Sequence, residues 1–471
     1  MRDDIAPLWR KAAELAISFR EGIGTRRQNP AATYHQMRAT FAAPTPDTGT
    51  DAKAVIEELA RLAEPGLNGM TGPRFFGWVI GGSHEAGVAA DWLTSAWGQN
   101  TGNHHATPAA AAVEEVAARW LLDLLALPAD CSVGFVTGAT IANFVCLAAA
   151  RGEVLRRAGW DVEANGLFGA PEVRVLIGDD AHTSVFSALQ FLGLGHNRVV
   201  RVATDDNGRI KPDAFAAAVQ SGSGPLIAIA QVGQLNTGAI DPVAAMAPIV
   251  AAHNGWLHVD GAFGLWARAC PDLAGLAKGV ELADSWATDG HKWLQTPYDC
   301  GYAITRHPEA HRRAMTIAAS YLPAAQAGER DPSHYVPELS RRARGFATWA
   351  IIRALGRQGI AEMIGRHCRL TRRIADRLDA AIDVVVVNDV MLNQMIVRFG
   401  ADRDGETSDR LTQAVIDAIL EKGELFCGGA KWRGRWVMRL SVIAGAMSEA
   451  DADRAGAAIL AAWDKVRGAN A

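Results

Sequence analysis

The sequence predicts an α/β protein with a mostly parallel seven-stranded sheet, a smaller C-terminal α+β domain and an N-terminal arm. Between residues 131 and 305, seven short apolar runs alternate with segments whose apolar residues recur at helical spacing, which is the pattern of strands joined by helical crossovers. After residue 345 the pattern changes to long amphipathic helices and three further strands. A chain of 471 residues is long enough for one large α/β domain and a smaller one.

The N-terminal segment has the pattern of a helical arm. Apolar residues recur at helical spacing over 5–21 and 51–64, and a stretch rich in Pro and Thr at 40–50 separates the two. Thr107 before Pro108 is typical of the start of a helix, and we expect the large domain to begin there. The predicted parts are the arm at 1–106, the large domain at 107–345 and the small domain at 346–471.

The strands of the large sheet are predicted from seven runs, namely CSVGFV, VRVLIG, RVVRVA, PLIAIAQVG, WLHVDG, SWATDG and CGYAIT. Because parallel strands need crossover connections, the helical segments between these runs favour a doubly wound sheet. In the small domain we expect helices at 346–355 and 362–380, strands in DVVVV, QMIVRF and WVMRLSV, and a last helix from Ser448.

Composition and charge narrow the classes of partner. With 49% hydrophobic and 21% charged residues, the chain has the composition of an ordinary globular protein. The 47 Lys and Arg residues against 51 Asp and Glu give a net charge of -4, so we expect neither a nucleic acid nor a membrane as a partner.

The six cysteines form no C-x-x-C pair, which predicts isolated thiols rather than a metal site. Isolated thiols and an N-terminus without a secretory signal pattern predict a cytoplasmic protein.

Two segments of the large domain place polar groups directly after a predicted strand, where an open α/β sheet binds its ligands. In GFVTGATIANF, Ala139 and Thr140 begin a helix whose free N–H groups suit a phosphate, and a plain turn with a helix cap is the alternative. In DDAHTSVFSA, His182 precedes a helix that we expect Thr183 or Ser184 to cap. Its imidazole either faces a ligand or has a structural role.

Two further segments carry an acid and an amine. Asp260 ends the apolar run in WLHVDGAFG, and the small residues Gly261 and Ala262 follow it. A carboxylate in this place either caps a turn or keeps a heterocyclic nitrogen protonated, because a nearby anion raises the pKa of a cationic acid. Lys292 lies in the aromatic-rich turn of SWATDGHKWLQTPYDCG. It is either a solvated surface lysine or, in an apolar pocket, a nucleophile for carbonyl groups.

The order of these features, a phosphate turn followed by His182, Asp260 and Lys292, resembles the pyridoxal-phosphate-dependent group II amino-acid decarboxylases, which include the glutamate and aromatic-amino-acid enzymes. The motifs H-K-W and V-D-x-A, the segment PRFFGW from Pro73 and the run WVMRLSV from Trp436 carry the resemblance over nearly the whole chain. It implies the aspartate-aminotransferase-like fold, known as fold type I, and the cofactor pyridoxal 5'-phosphate.

The resemblance also assigns roles to individual residues. Lys292 would form the Schiff base with the cofactor aldehyde, and Asp260 would pair with the pyridine nitrogen. His182 would stack on one face of the ring, and Ala262 would pack on the other. The remaining cofactor-binding residues that it implies are Ala139, Thr140 and His291 at the phosphate and Thr237 nearby.

The family reprotonates the carbanion from a tyrosine on a loop before the small domain. Tyr335 is the candidate here, and Tyr321 is the alternative. We expect the loop from about Tyr321 to Leu339 to close over bound substrate. Without a well-placed donor, the carbanion reacts with oxygen or is protonated on the cofactor, which gives an aldehyde or a ketone.

The substrate pocket of the family is lined by two segments that read GWVIGG and GQNTGNHHATP in this chain. They are more polar than in the aromatic members, and His104 is the candidate for a substrate contact. The pair His104 and His105 has no further spaced partner, so no metal site is predicted. Arg439 in WVMRLSV either binds a substrate carboxylate or forms a structural salt bridge.

The predicted function is therefore decarboxylation of an L-amino acid to its amine and CO2. We also expect a homodimer, because the resemblance places the PRFFGW region over a partner's active site. An aminotransferase or an aldehyde-forming oxidative decarboxylase on the same fold is the alternative. A non-catalytic protein of this fold is disfavoured because Lys292, Asp260 and His182 are all present.

Overall fold

The structure is a computed structural model that describes residues 5–316 and 329–469. The chain divides into two compact units. The larger comprises Val79–Arg372 and Val387–Ile396, and the smaller comprises Met1–Trp78, Arg373–Val386 and Val397–Ala471. The domain boundaries expected after residues 106 and 345 stay a prediction. Within the described part of the chain, no helix is both long enough and apolar enough to cross a membrane.

A sheet of seven strands forms the larger unit. The strands are β1 Ser132–Val136, β2 Arg174–Gly178, β3 Val200–Val202, β4 Leu226–Gln231, β5 Trp256–Asp260, β6 Ser285–Asp289 and β7 Gly301–Thr305. Their order is β1-β7-β6-β5-β4-β2-β3. The pairs among β2 to β6 are parallel, and β7 is antiparallel to both of its neighbours. The predicted seven-stranded, mostly parallel sheet is confirmed.

Helices connect most of the strands. Numbered along the chain, they are α1 Ala6–Gly22, α2 Tyr34–Phe41, α3 Ala52–Ala63, α4 Glu85–Trp97, α5 Pro108–Leu124, α6 Ala139–Arg157, α7 Val162–Asn165, α8 Thr183–Phe191, α9 Pro212–Gln220, α10 Val243–Ala252, α11 Pro271–Ala274, α12 Pro308–Met315, α13 Gly345–Asp379, α14 Gly405–Lys422 and α15 Glu449–Ala469. The helices expected at 346–355 and 362–380 are both parts of α13, which is interrupted at Gly356. The φ angle of Gly356 is 62°, a left-handed value that glycine adopts without steric cost.

The central strands are buried along their whole length because helices cover them. Every residue of β1, β5, β6 and β7 is buried, as expected for strands that are covered on both faces. In the part of the core next to β2 and β4, Leu147 of α6 and Leu189 of α8 pack with Ile177, Ile227 and Ile229. Five strands run in the same direction, namely β1, β2, β4, β5 and β6. Their carboxyl ends therefore share one edge of the sheet, where ligands bind in this architecture.

The second sheet has four strands. They are β8 Val384–Val386, β9 Gln394–Phe399, β10 Gly428–Trp432 and β11 Arg435–Ser441, in the order β10-β11-β9-β8. The pairs β10–β11 and β8–β9 are antiparallel. In the smaller unit, α14 packs on β11 and on α15, and α1 packs on α3. The α+β pattern predicted for the C-terminal part is therefore confirmed.

The PRFF segment belongs to the smaller unit. The Phe75 ring stacks on Phe426 with 4.7 Å between centroids. The Phe76 N–H donates to the Phe426 carbonyl at 2.9 Å, and the Phe76 carbonyl accepts from the Ser441 N–H at 3.1 Å. These contacts attach the segment after Pro73 to the end of the strand that carries Arg439.

Candidate active site

Three strand ends of the large sheet bring the predicted site residues to one edge. Asp260 is the last residue of β5, and Asp289 is the last residue of β6. Gly138 follows β1 and immediately precedes α6. Lys292 lies in a wide helical turn, Gly290–Leu294, directly after β6. Residues predicted from separate segments thus meet because parallel strands end on the same side.

The turn after β6 places Lys292 beside an acid of its own strand. The Lys292 Nζ lies 3.0 Å from the Asp289 Oδ2, and the lysine side chain is 18% exposed. A second segment passes directly against this turn at Gly81. A Cβ atom at Gly81 would lie 2.0 Å from the His291 carbonyl oxygen and 2.4 Å from that of Lys292, so only glycine allows this approach.

Asp260 is a buried carboxylate with one unsatisfied oxygen. It is 2% exposed. Its Oδ1 accepts the Ala262 N–H at 3.2 Å, whereas its Oδ2 has no hydrogen-bond partner within the described residues. Burial raises the pKa of Asp260, and the charges of His182 and Lys292 oppose that rise. Such a carboxylate is prepared to receive a cationic donor.

Ala262 joins the ends of the two central strands. Its N–H faces the Asp260 carboxylate, and its carbonyl accepts the Asp289 N–H at 2.9 Å. The packing of Ala262 on a flat cofactor ring stays a prediction.

His182 itself caps α8, in place of the expected Thr183 or Ser184. Its Nδ1 accepts the Ser184 N–H at 3.2 Å and lies 2.7 Å from the Ser184 Oγ. The imidazole lines a small cavity together with Asp260 and Gly178. The cap orients the ring next to the Asp260 carboxylate.

The predicted phosphate turn lies between β1 and α6. The Ala139 N–H donates to the Asp289 Oδ1 at 2.6 Å, and Thr140 is exposed in the first turn of the helix. A Cβ atom at Gly138 would lie 3.0 Å from the His291 Cε1. The start of α6 therefore offers N–H groups that lack helical partners, close to an imidazole.

His291 is held in one orientation by two neighbours. Its Nδ1 accepts the Cys300 N–H at 3.2 Å, and its ring stacks on Tyr298 with 4.2 Å between centroids. Burial lowers the pKa of His291, so the ring is neutral and carries its proton on Nε2. That Nε2 lies 3.5 Å from the Asp289 Oδ1, which directs an N–H group toward the start of α6.

Thr237 lies in a turn and bonds both within this turn and to Asn207. Its buried hydroxyl donates to the Asn207 carbonyl at 2.6 Å and accepts the Ala239 N–H at 3.2 Å. The Gln234 side chain closes the same turn by accepting the N–H groups of Asn236 and Thr237. The contacts described for Thr237 therefore stabilise the turn, and its part in holding a cofactor stays a prediction.

The Tyr335 side chain lies beside α12. Its ring contacts His311 edge-on with 5.2 Å between centroids, and the Arg330 guanidinium lies 4.5 Å above it. Its carbonyl accepts from the His311 Nε2 at 2.9 Å. These contacts hold the ring and the main chain, and the role of proton donor stays a prediction. Tyr321 lies outside the described residues.

His104 and Arg439 have different surroundings. The His104 Nδ1 lies 2.7 Å from the Asp331 Oδ1, and its Nε2 lies 3.0 Å from the Glu329 Oε2. The hydrogen bond with Asp331 raises the pKa of His104. Arg439 lies in β11 of the smaller unit, where burial lowers its pKa to about 10.

Among residues 5–316 and 329–469, no group of three His, Cys, Asp or Glu side chains is arranged to hold a metal ion.

Sequence reasoning missed two residues of this site. Asp289 bonds both the start of α6 and Lys292, and Gly81 packs on the turn that carries Lys292. The available signal for Asp289 was its place at the end of the predicted strand SWATD, three residues before the lysine. No feature of the sequence GWVIGG shows which of its glycines packs against the turn that carries Lys292.

The chain is similar to known proteins over most of its length. Residues 35–399 match the model of the pyridoxal-dependent decarboxylase conserved domain. The chain is 25% identical over 450 residues to an aromatic-L-amino-acid decarboxylase of Bacillus atrophaeus, covering 94% of this chain and 92% of that protein. It is 27% identical over 414 residues to a phenylacetaldehyde synthase of Arabidopsis thaliana, covering 84% and 83%.

A solved structure shows the same fold. The structure of Oryza sativa TDC with PLP and tryptamine superposes with a TM-score of 0.92 at 24% identity, covering 99% of this chain and 98% of that one. The expected fold type I architecture is confirmed by this superposition. Because the family model matches most of the sequence, the chain belongs to the pyridoxal-dependent decarboxylases and is a pyridoxal 5'-phosphate-dependent amino-acid decarboxylase.

Proposed function

We propose that this enzyme converts an L-amino acid into its amine and CO2 with the cofactor held covalently by Lys292. The observation that carries the proposal is the buried Asp260 carboxylate, whose Oδ2 has no partner within the described residues. Burying a charged oxygen without a partner is costly. The protonated ring nitrogen of pyridoxal 5'-phosphate is a donor of the matching charge, so Asp260 fits this cofactor.

The other parts of the cofactor also have suitable partners. Its phosphate would be held by the N–H group of Ala139, the hydroxyl of Thr140 and the Nε2 proton of His291. Its ring would lie between the imidazole of His182 and the small side chain of Ala262. These assignments are supported by the cap that orients His182, which lines one cavity with Asp260, and by the Ala139 N–H at the start of α6.

When bound, the cofactor supplies an electron-withdrawing ring that accepts the electron pair left by the departing CO2. The protein keeps the ring nitrogen protonated, because the ring withdraws electrons most strongly in that state. Asp260 holds the proton on the ring nitrogen, because a buried carboxylate beside a cationic acid stabilises the protonated form. We assign to the Tyr335 hydroxyl the return of a proton to the reacting carbon.

Two residues are candidates for holding the substrate. Arg439 keeps its positive charge at neutral pH although burial lowers its pKa to about 10, and we propose that it binds the substrate carboxylate. His104 is the second candidate. The Asp331 and Glu329 carboxylates lie against both of its ring nitrogens, so a substrate acceptor would have to take the place of one of them.

We further propose that the enzyme is a cytoplasmic homodimer. The arm helix α1 exposes Trp9 and Ile17, and Ile5 precedes it; each of the three is at least 50% accessible. Apolar side chains of this size on one short arm are expected to be covered by a second copy. All six cysteines are free thiols, which agrees with a reducing compartment.

Aldehyde formation is the second candidate function. It is favoured by the similarity to a protein named phenylacetaldehyde synthase. It is also favoured by the described contacts of Tyr335, which involve its ring and carbonyl rather than its hydroxyl. An enzyme without a positioned donor would release CO2 and, with O2 as the oxidant, form an aldehyde, ammonia and hydrogen peroxide in place of the amine.

A product analysis separates these functions. The purified enzyme is incubated with the standard amino acids, diaminobutyrate and ornithine, and CO2, amine, aldehyde and keto acid are measured together. Equal amounts of CO2 and amine support the proposal, aldehyde with CO2 supports the second candidate, and keto acid without CO2 indicates transamination. Borohydride reduction followed by peptide mapping should label Lys292, and a label on another lysine would contradict the assignment.

A further inference from the structure

The Asp289 carboxylate lies where the proposed phosphate partners converge. Its Oδ1 accepts the Ala139 N–H at 2.6 Å and lies 3.5 Å from the His291 Nε2. A Cβ atom at Gly138 would lie 3.2 Å from the same oxygen. One carboxylate oxygen therefore uses the amide and the imidazole that the proposed function assigns to a phosphate.

The other oxygen of Asp289 engages the lysine. Its Oδ2 lies 3.0 Å from the Lys292 Nζ, and the aspartate is 2% exposed. The Asp289 carbonyl and N–H are bonded to Trp266 and Ala262, so the backbone of the acid is fixed. A single buried carboxylate thus contacts both the anion cradle and the amine that the cofactor requires.

We propose that Asp289 is an internal competitor of the cofactor, which occupies the cradle and Lys292 in the cofactor-free enzyme and thereby lowers the affinity for pyridoxal 5'-phosphate. This inference rests on the proposed function of Lys292 and of the α6 turn. In the described structure the charge of Asp289 is balanced by the Lys292 ammonium. The cofactor would attach through that nitrogen, which would then keep at most one N–H to face Asp289.

With the cofactor bound, the carboxylate would lie beside a second anion with fewer Lys292 N–H donors to balance it. A phosphate monoester carries a charge of about -1.5 to -2 at neutral pH. Like charges a few ångströms apart in a site with little water repel each other strongly. The start of α6 attracts an anion, but the carboxylate and the phosphate must share it.

The test compares the affinity of two charge-removing variants for the cofactor. Asp289→Asn keeps an oxygen that accepts the Ala139 N–H and removes the charge. Glu281→Gln removes a charge just before β6, where Glu281 pairs with Arg268 and its side chain is 38% exposed. Each full-length protein is freed of cofactor, checked for folding by circular dichroism, and titrated with pyridoxal 5'-phosphate by absorbance and by equilibrium dialysis.

We expect Asp289→Asn to bind pyridoxal 5'-phosphate at least about tenfold more tightly than the wild type. Glu281→Gln should stay within about twofold of the wild type, because exposed pairs contribute little. Pyridoxal, which lacks the phosphate, should gain clearly less affinity from Asp289→Asn than pyridoxal 5'-phosphate does. Inorganic phosphate should compete with the cofactor more strongly in this variant.

Three results would overturn the inference. They are an unchanged or weaker affinity of Asp289→Asn, an equal gain for pyridoxal and pyridoxal 5'-phosphate, and a similar gain in Glu281→Gln. If Asp289→Asn does not fold, Asp289→Ser is titrated in its place with the same expectations. If neither the wild type nor the variants bind the cofactor, the proposed function is wrong. If all of them bind it with equal affinity, only the competitor role of Asp289 is wrong.

Discussion

The His258 Nε2 lies 2.8 Å from the Asn143 Oδ1, and this hydrogen bond ties β5 to α6. The Ser285 Oγ accepts from the Trp256 Nε1 at 2.9 Å, so its own proton is directed to the His258 Nδ1 at 2.9 Å. The imidazole is therefore neutral and donates from Nε2. Since β5 ends at Asp260 and α6 begins at the phosphate turn, the bond fixes two parts of the site relative to each other.

Asn143→Ala should lower the free energy of unfolding by about 1–3 kcal/mol, because it leaves the buried His258 Nε2 proton without an acceptor. Denaturant unfolding followed by circular dichroism measures the change. Ser187→Ala is the control, because the exposed Ser187 hydroxyl bonds only the carbonyl of Thr183 among the described residues. It should change the stability by less than about 0.5 kcal/mol. Equal stabilities of the two variants would contradict the role given to Asn143.

Stability should fall as the pH is lowered below the ordinary pKa of histidine. Burial lowers the pKa of both His258 and His311 from 6.5 to about 3. Above pH 6.5 both rings are neutral in the folded and unfolded states. Between pH 6.5 and about 3 the unfolded chain binds up to two more protons, so these residues reduce the free energy of unfolding by up to about 2.7 kcal/mol per pH unit.

Unfolding free energies measured between about pH 7 and pH 5 test this slope. His258→Gln should make it shallower by up to half, because one of the two titrating groups is removed. A stability that is constant over this range would contradict the assignment of neutral, buried imidazoles.

The ends of the strands could be predicted from the sequence. The contacts between the ends of different strands, along the carboxyl edge of the large sheet, could not. Asp260 ends a strand that is buried along its whole length, and an acid in that place marks the edge of a sheet. Asp289 ends the neighbouring strand in the same way, yet its bond to Ala139 spans 150 residues. A contact of this kind depends on the strand order β1-β7-β6, which apolar periodicity does not determine.

Asp260→Asn should lower the rate of CO2 release at saturating cofactor by at least about 100-fold. An amide does not hold a proton on the ring nitrogen, and about 2.7 kcal/mol of stabilisation is then lost in the transition state. Cofactor content should be measured by absorbance, so that loss of binding is separated from loss of chemistry. The control is Asp213→Asn on the exposed start of α9, which should keep the wild-type rate. A near-normal rate in Asp260→Asn with bound cofactor would reject the electron-withdrawing role.

Gly81→Ala should lower both the stability and the cofactor content. Its Cβ atom would lie 2.0 Å from the His291 carbonyl oxygen, so the turn that carries Lys292 must move. Overpacking of this kind costs about 1–3 kcal/mol. Gly275→Ala is the matched control, because no atom lies within 4 Å of its Cβ position. Thermal unfolding and absorbance of the purified variants provide the measurements, and a Gly81→Ala protein that matches the control would contradict this packing.

The last prediction concerns the hydroxyl of Tyr335. The described contacts of this residue are made by its ring, with His311 and Arg330, and by its carbonyl. Tyr335→Phe keeps all of these contacts, so the free energy of unfolding should change by less than about 0.5 kcal/mol. If the hydroxyl returns the proton to the reacting carbon, the variant should still release CO2 but form less amine.

The missing amine should appear as aldehyde, with consumption of oxygen, because the carbanion then reacts with oxygen. Tyr335→Ala removes the ring as well and should also lower the stability, which separates the anchoring role of the ring from the chemistry of the hydroxyl. The measurement is the ratio of amine to CO2 under air and under nitrogen. An amine yield in Tyr335→Phe equal to that of the wild type would assign Tyr335 to anchoring alone and make Tyr321 and His334 the next donors to substitute.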